Sequence, residues 1–194
     1  MKHDSRFNRR QFAATFAAGL AAAAAPRAFA QGSDFPNKPI ELIVPFQAGG
    51  GTDALARAFA DAGRKFLPQS IVVNNKPGAS GAIGWSDVIH AKPDGYKLAV
   101  VTVELVTLPP LGLAKFTYED MAPVARLNAD PAAITVRADA PWNTVEEFLA
   151  AAKTKEVQVG NAGNGSIWHL ASAALQEKTG AKVAHIPFQG GGPA

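Results

Sequence analysis

The chain has 194 residues, 47% of them apolar and 18% charged, with no cysteine and a formal net charge of +3. That composition suffices for a buried core in one domain or two small ones, and it excludes disulfides, a lipid-modified cysteine anchor and thiol chemistry. The basic excess sits at the N-terminus. Up to Ala30 there are five basic residues (Lys2, Arg6, Arg9, Arg10, Arg27) and one acid (Asp4), so the totals of 19 and 16 leave 14 against 15 for residues 31–194. A near-neutral remainder gives no support to nucleic-acid binding, which needs a basic face.

Residues 1–30 have the layout of a cleavable export signal: a charged stretch HDSRFNRR, an apolar run from Phe12 to Ala25, and small residues at Ala28 and Ala30 flanking Phe29. The run is too short and too rich in alanine to span a bilayer. Arg9-Arg10-Gln11-Phe12 resembles the twin-arginine export motif, with Asn8 where Ser or Thr is usual. Export to the periplasm with cleavage near Ala30 is expected, leaving a soluble protein held by its core alone.

Ile40–Val44 is a short apolar run and reads as a buried strand. Leu55, Phe59, Ala62 and Phe66 fall at helical spacing, which predicts a helix over about Thr52–Leu67 before Pro68. A strand at Ile71–Val73 follows, then turn chemistry at Asn74–Gly78 and a helix over Ile83–His90. After Pro93-Asp94-Gly95 comes a third strand, Tyr96–Thr102. This βαβαβ rhythm predicts a parallel sheet with helices on its faces. Leu108–Ala114, with its Pro-Pro pair, reads as an irregular connection, and Pro123–Leu127 and Ala133–Val136 as further strands. Thr144 and Glu147 have capping-box spacing ahead of a helix to about Lys153. A strand at Val157–Val159, a glycine-rich turn into a helix ending near Lys178, and a strand at Lys182–Pro187 complete a second α/β unit. The expected organisation is therefore 1–30 export signal, 31–125 a first α/β domain, and 126–194 a second, partial one.

Each unit presents a strand, a glycine loop and a helix start. Gly49-Gly50-Gly51-Thr52-Asp53 and Gly163-Asn164-Gly165-Ser166 lie at the carboxyl ends of strands, where open parallel sheets bind ligands. Exposed amides and the positive dipole end favour an anion there, and glycine allows close approach. A tight turn that merely requires glycine is the alternative the residues leave open. Gly49, Gly51 and Ala54 also satisfy the relaxed dinucleotide pattern, but Asn74 and Asn75 stand where a ribose-binding acid should close the second strand. No Lys-Ser or Lys-Thr follows the glycines, so a P-loop is absent. His90 reads as a solvated helix end, His185 as structural, and His169 as either a ligand contact or a local backbone partner. No two histidines have metal-ligand spacing. Ser166 and His169 are three residues apart on one helix with no third partner, which makes a poor nucleophile pair. Trp85, Trp142 and Trp168 are assigned to core packing. Neither cofactor nor metal is expected.

Taken in order, several stretches resemble the extracytoplasmic solute receptors of tripartite tricarboxylate transporters, the Bug-type receptors. They are Pro36-x-Lys38-Pro39-Ile40, Pro45-Phe46-x-x-Gly49-Gly50-Gly51-Thr52-Asp53, Asn75-Lys76-Pro77-Gly78-Ala79 and Gly81-x-Ile83-Gly84. Then follow Pro93-Asp94-Gly95-Tyr96, Gly163-x-Gly165-Ser166-x-x-His169-Leu170-Ala171, His185-Ile186-Pro187-Phe188 and Gly192-Pro193-Ala194. The resemblance covers about residues 35–194. It implies a type II periplasmic-binding-protein fold, in which two α/β domains close over a small carboxylate-containing solute. It also implies a non-enzymatic, monomeric receptor that delivers solute to membrane transporter subunits. Carried over by position, the ligand contacts are Phe46, Gly49, Gly50, Gly51, Thr52, Asp53, Ala79, Ser80 and Gly81 from the first domain. Asn164, Gly165, Ser166, His169, Phe188 and Gln189 come from the second. Asp53 has a competing role as a first-turn acid complementing the helix dipole.

Two departures stand out. Thr102-Val103-Glu104 replaces the small polar residue that many relatives carry after the third strand. Glu104 is expected to face solvent; in the cleft it would favour a ligand with a cationic group. Family members also run on beyond the point matching Ala194, so a fragment is expected, with exposed sheet edges, poor solubility and weak binding.

Overall fold

The structure, a computed structural model, describes residues 35–194, and the export-signal reading of residues 1–30 lies outside them. Residues 36–194 form one unit that contains two parallel sheets.

Strand β1 (Ile40–Val44) lies between β2 (Ile71–Asn75) and β3 (Lys97–Ala99). Both pairings are parallel; Leu42 sits opposite Val73 on one side and Leu98 on the other. A central parallel strand is covered on both faces, which is why IELIV is apolar without alternation. Helix α1 (Gly51–Gly63) covers one face, where Ala56 packs with Leu42, Val44 and Val100. Helix α2 (Ala82–Ile89) covers the other. There Trp85 is fully buried among Ala82, Leu105, Leu108 and Phe116, and its indole N–H donates to the Val100 carbonyl at 3.0 Å. Phe46 and Phe116 meet its ring edge-on, at centroid distances of 6.4 and 6.1 Å. A short helix, α3 (Glu104–Thr107), follows β3.

The second sheet pairs β4 (Val157–Asn161) with β5 (Val183–Pro187), in register from Val157–Val183 to Asn161–Pro187. Helix α5 (Ile167–Thr179) makes the crossover, and α4 (Val145–Thr154) contributes Ala152 to a core with Ala181 and Val183. Thr144 Oγ1 accepts from Glu147 N at 3.2 Å, as the capping spacing predicts. The Glu147 carboxylate reaches one residue further back than a capping box requires, to Asn143 N at 2.7 Å.

Several expectations are corrected. Pro123–Leu127 and Ala133–Val136 are not strands; among the described residues no strand lies beside them, and Val124 is 84% exposed. An extended apolar run becomes a strand only where a partner takes its amides. Helix α1 ends at Gly63, and i→i+3 bonds from Lys65 and Phe66 close its last turn short of Leu67. β3 ends at Ala99 because its register on β1 runs only from Glu41 to Ile43. Of the tryptophans, Trp85 is core and Trp142 stacks edge-on with Phe148 at 5.4 Å, but Trp168 is 40% exposed.

Candidate functional site

The carboxyl end of β1 leads into Phe46-Gln47 and the first glycine loop. Gly49 has φ +88°, and Gly50 starts α1 without a capping side chain. Asp53 is turned inward and buried. It accepts from Gly49 N at 3.0 Å, Arg57 Nε at 2.9 Å and Asn75 Nδ2 at 2.9 Å. The Arg57 hydrogen bond, helped by Gly49 and Asn75 against the cost of burial, holds its carboxyl at about 2. Asp53 therefore braces the loop to α1 and β2, and its carboxylate is committed inside the protein.

The turn between β2 and α2 has four consecutive residues with positive φ: Gly78 (+135°), Ala79 (+46°), Ser80 (+53°) and Gly81 (+102°). Two of them carry a Cβ in a region that non-glycine residues rarely adopt. Backbone strain of this kind collects at ligand-facing sites. Ser80 Oγ donates to the Asn164 carbonyl at 2.6 Å, joining this turn to the second glycine loop. The contact depends on Gly163 (φ +119°), where an added Cβ would stand 2.6 Å from Ser80 Oγ.

In that second loop most polar groups are already partnered. Asn161 is buried, and its Oδ1 accepts from Gly163 N at 2.9 Å, while its Nδ2 has no partner. Ser166, fully buried, caps α5 by accepting from His169 N at 3.2 Å. His169 Nδ1 accepts from Gly165 N at 3.1 Å, which fixes the neutral tautomer with its proton on Nε2. Burial, and then the His185 ring 4.9 Å away, push the His169 pKa down.

Glu104 is not at the surface, contrary to the sequence expectation: it is 2% exposed. One carboxylate oxygen accepts from Ile167 N, the first amide of α5, at 2.9 Å, and the other from Thr102 Oγ1 at 2.5 Å. The sequence hid this because β3 stops at Ala99 and α3 turns the side chain inward, toward a helix 63 residues away.

Between the two sheets' loops lies a cleft of about 300 Å³, lined by Ala79, Ser80, Leu113, Gly163, Asn164, Pro187, Phe188 and Gln189. Five of the residues named from sequence meet there: Ala79, Ser80, Asn164, Phe188 and Gln189. Phe46 packs on Trp85 instead, and Gly81, Gly165, Ser166 and His169 stand outside the lining. Gly49, Gly50, Gly51 and Thr52 do not line it either; their loop meets the loop at Gly190–Gly192, and Gln47 N donates to Gln189 O at 2.9 Å. Leu113 had no signal in the sequence, since it sits in an irregular Pro-Pro connection. No lysine or arginine is among the lining residues, so a bound anion would meet hydroxyl and amide groups there.

Two α/β layers with strand-end loops facing one cleft give the architecture of periplasmic binding proteins, and solved periplasmic binding proteins are among the structural neighbours. Residues 55–194 match the family model described as tripartite tricarboxylate transporter family receptor, and the chain belongs to that family. A UPF0065 protein from Cupriavidus necator is 36% identical over 181 residues, covering 92% of this chain and 54% of its own. A TctC solute binding protein from Polaromonas, solved without ligand, is 67% identical with a TM-score of 0.54, covering 82% of this chain and 56% of its own. MatC from Rhodopseudomonas palustris, solved with bound malate, is 28% identical with a TM-score of 0.66, over 82% of this chain and 56% of its own. The chain spans about half the length of the curated relatives it matches.

Proposed function

We propose that this chain is the solute-capturing part of a periplasmic receptor, binding a small carboxylate-containing molecule for a tripartite tricarboxylate-type transporter. The observation that carries it is the cleft itself, in which a strained turn from the first sheet (Ala79, Ser80) faces glycine-loop and strand-end residues of the second (Asn164, Phe188, Gln189). The bound malate of MatC supports a carboxylate as the ligand class. The ligand contacts of this reading are Ala79, Ser80, Asn164, Phe188 and Gln189, the sequence-named residues that line the cleft. Division at about residue 125 gives the two halves that close on the solute, and closure follows from contacts that only the closed state makes to both.

Export through the signal at residues 1–30, periplasmic residence as a monomer and delivery to membrane subunits belong to the same reading. Catalysis does not. Ser166 Oγ is buried as a helix cap and His169 Nδ1 is taken by Gly165, so this serine–histidine pair has no free nucleophile and base. Calorimetry of the full chain with a panel of small mono- and dicarboxylates tests this. One-to-one binding without turnover, weakened by Gly163→Ala, is expected. A panel that binds nowhere, or a ligand that emerges chemically changed, overturns it.

A further inference from the structure

We infer that Leu113 is a specificity-determining residue: with Phe188 it forms an apolar wall that selects a carboxylate whose carbon chain carries no hydroxyl. The inference rests on the solute-capture reading above, and adds the chemistry of the solute's body.

Leu113 reaches the cleft on a fixed turn. Its N–H donates to Leu108 O at 3.0 Å and Gly112 N to Pro109 O at 2.9 Å, with Gly112 at φ +71°, the closure typical of a helix end. Leu108 is fully buried beside Trp85, which anchors the turn in the core of the first sheet. The turn packs on Gly165, where an added Cβ would stand 2.6 Å from Leu113 Cδ1 and 3.1 Å from Leu108 Cδ2. Phe188 is also seated on a glycine: a Cβ on Gly160 would stand 3.3 Å from its Cε2, and its N–H donates to Asn161 O at 2.9 Å. Both residues line the cleft, together with Pro187. Leu113 is nevertheless 49% exposed, so its apolar surface is there for a solute to cover. The polar groups around this wall are few. No charged residue is among the lining. Ser80 Oγ and the Asn164 carbonyl are bonded to each other, Gly163 N to Asn161 Oδ1, and the Gln189 carbonyl to Gln47 N. A hydroxyl set against Leu113 or Phe188 would lose its water without gaining a partner, whereas a methylene there gains about fourfold in affinity.

The test compares butyrate with β-hydroxybutyrate and succinate with tartrate, by calorimetry on the full chain, Leu113→Ser and Leu111→Ser. Leu111 lies in the same turn, is equally exposed and is not among the lining residues, so it controls for the turn itself. The wild type is expected to favour the member without hydroxyls, in each pair that binds, by at least about fivefold. Leu113→Ser should bring that ratio to within about twofold of unity, and Leu111→Ser should leave it in place. An equal or reversed preference in the wild type, a ratio unchanged in Leu113→Ser, or the same change in Leu111→Ser would overturn the inference. A second arm needs no carboxylate. Pentanol, followed by methyl NMR of the full chain, should shift the Leu113 methyl signals and leave those of Leu111 in place. Pentanol binding at Leu113 with no carboxylate bound by the chain would place the failure in the capture reading; Leu113 methyls unmoved by pentanol would show that no apolar wall receives a solute there.

Discussion

Ser80 and Asn164, 84 residues apart, are joined by a hydrogen bond of 2.6 Å from a hydroxyl to a main-chain carbonyl, directly across the mouth of the cleft. The donor sits at φ +53° and the accepting residue follows a glycine at φ +119°, so the bond depends on two uncommon backbone conformations. Gly163→Ala should therefore be costly, since its Cβ would enter Ser80 Oγ and its φ is hostile to any side chain. A loss of about 2 kcal/mol or more is expected in urea denaturation. At position 80 the order of variants is informative. Ser80→Ala loses the hydrogen bond and keeps the strain, whereas Ser80→Gly loses the bond and relieves the strain. Ser80→Gly should be the more stable of the two by about 1 kcal/mol; the reverse order would remove strain from the account.

Asp53 gives an acid-stability prediction. Its carboxyl is held at about 2, below the ordinary 3.8, chiefly by Arg57. The unfolded chain binds this proton first, so the stabilisation is complete above about 4 and is lost as pH falls through about 2. The shift corresponds to about 2 kcal/mol. Asp53→Asn should flatten that part of the stability–pH curve, which equilibrium unfolding between pH 5 and 2 would measure.

His169 acts in the same direction at higher pH, for a different reason. Burial and the neighbouring His185 disfavour its protonated form, and protonation at Nδ1 would abolish the bond from Gly165 N. Its folded pKa is lowered, so the folded state binds this proton later than the unfolded one, and stability falls as pH drops below the ordinary histidine value. An NMR titration should place the His169 midpoint below the ordinary histidine value. A His169 midpoint at or above the ordinary histidine value would contradict this account.

The sequence made the local devices readable. IELIV as a buried strand and Thr144 as a cap are properties of short windows, and each took its expected form. The helical set Leu55, Phe59, Ala62 and Phe66 placed a helix but not its inner face: Phe59 and Phe66 are exposed, and Asp53, Ala56 and Ala60 are the buried residues of α1. What escaped was set by distant partners. Glu104 is buried only because the start of α5 lies against it, and no window around residue 104 contains that helix. Pro123–Leu127 had the composition of a strand and lacked a neighbour to make it one. The site was half legible for the same reason. Glycine loops announced where a cleft could form, but which of their residues line it depends on how the loops meet. Gly49–Thr52 turn to the Gly190–Gly192 loop, and Leu113 enters from an irregular connection.

The meeting of those two glycine loops has a consequence for how the chain can vary. A Cβ on Gly50 would stand 3.0 Å from Gly192 N, and one on Gly192 would stand 2.9 Å from Gly50 N. VPFQAGGGTD and IPFQGGGPA thus face each other at backbone range, with Gln47 N bonded to Gln189 O beside them. Neither segment is free to acquire a side chain at its glycine unless the other withdraws. The near-repetition is a shared boundary condition, in which two distant parts of the chain stay small because each is the other's wall.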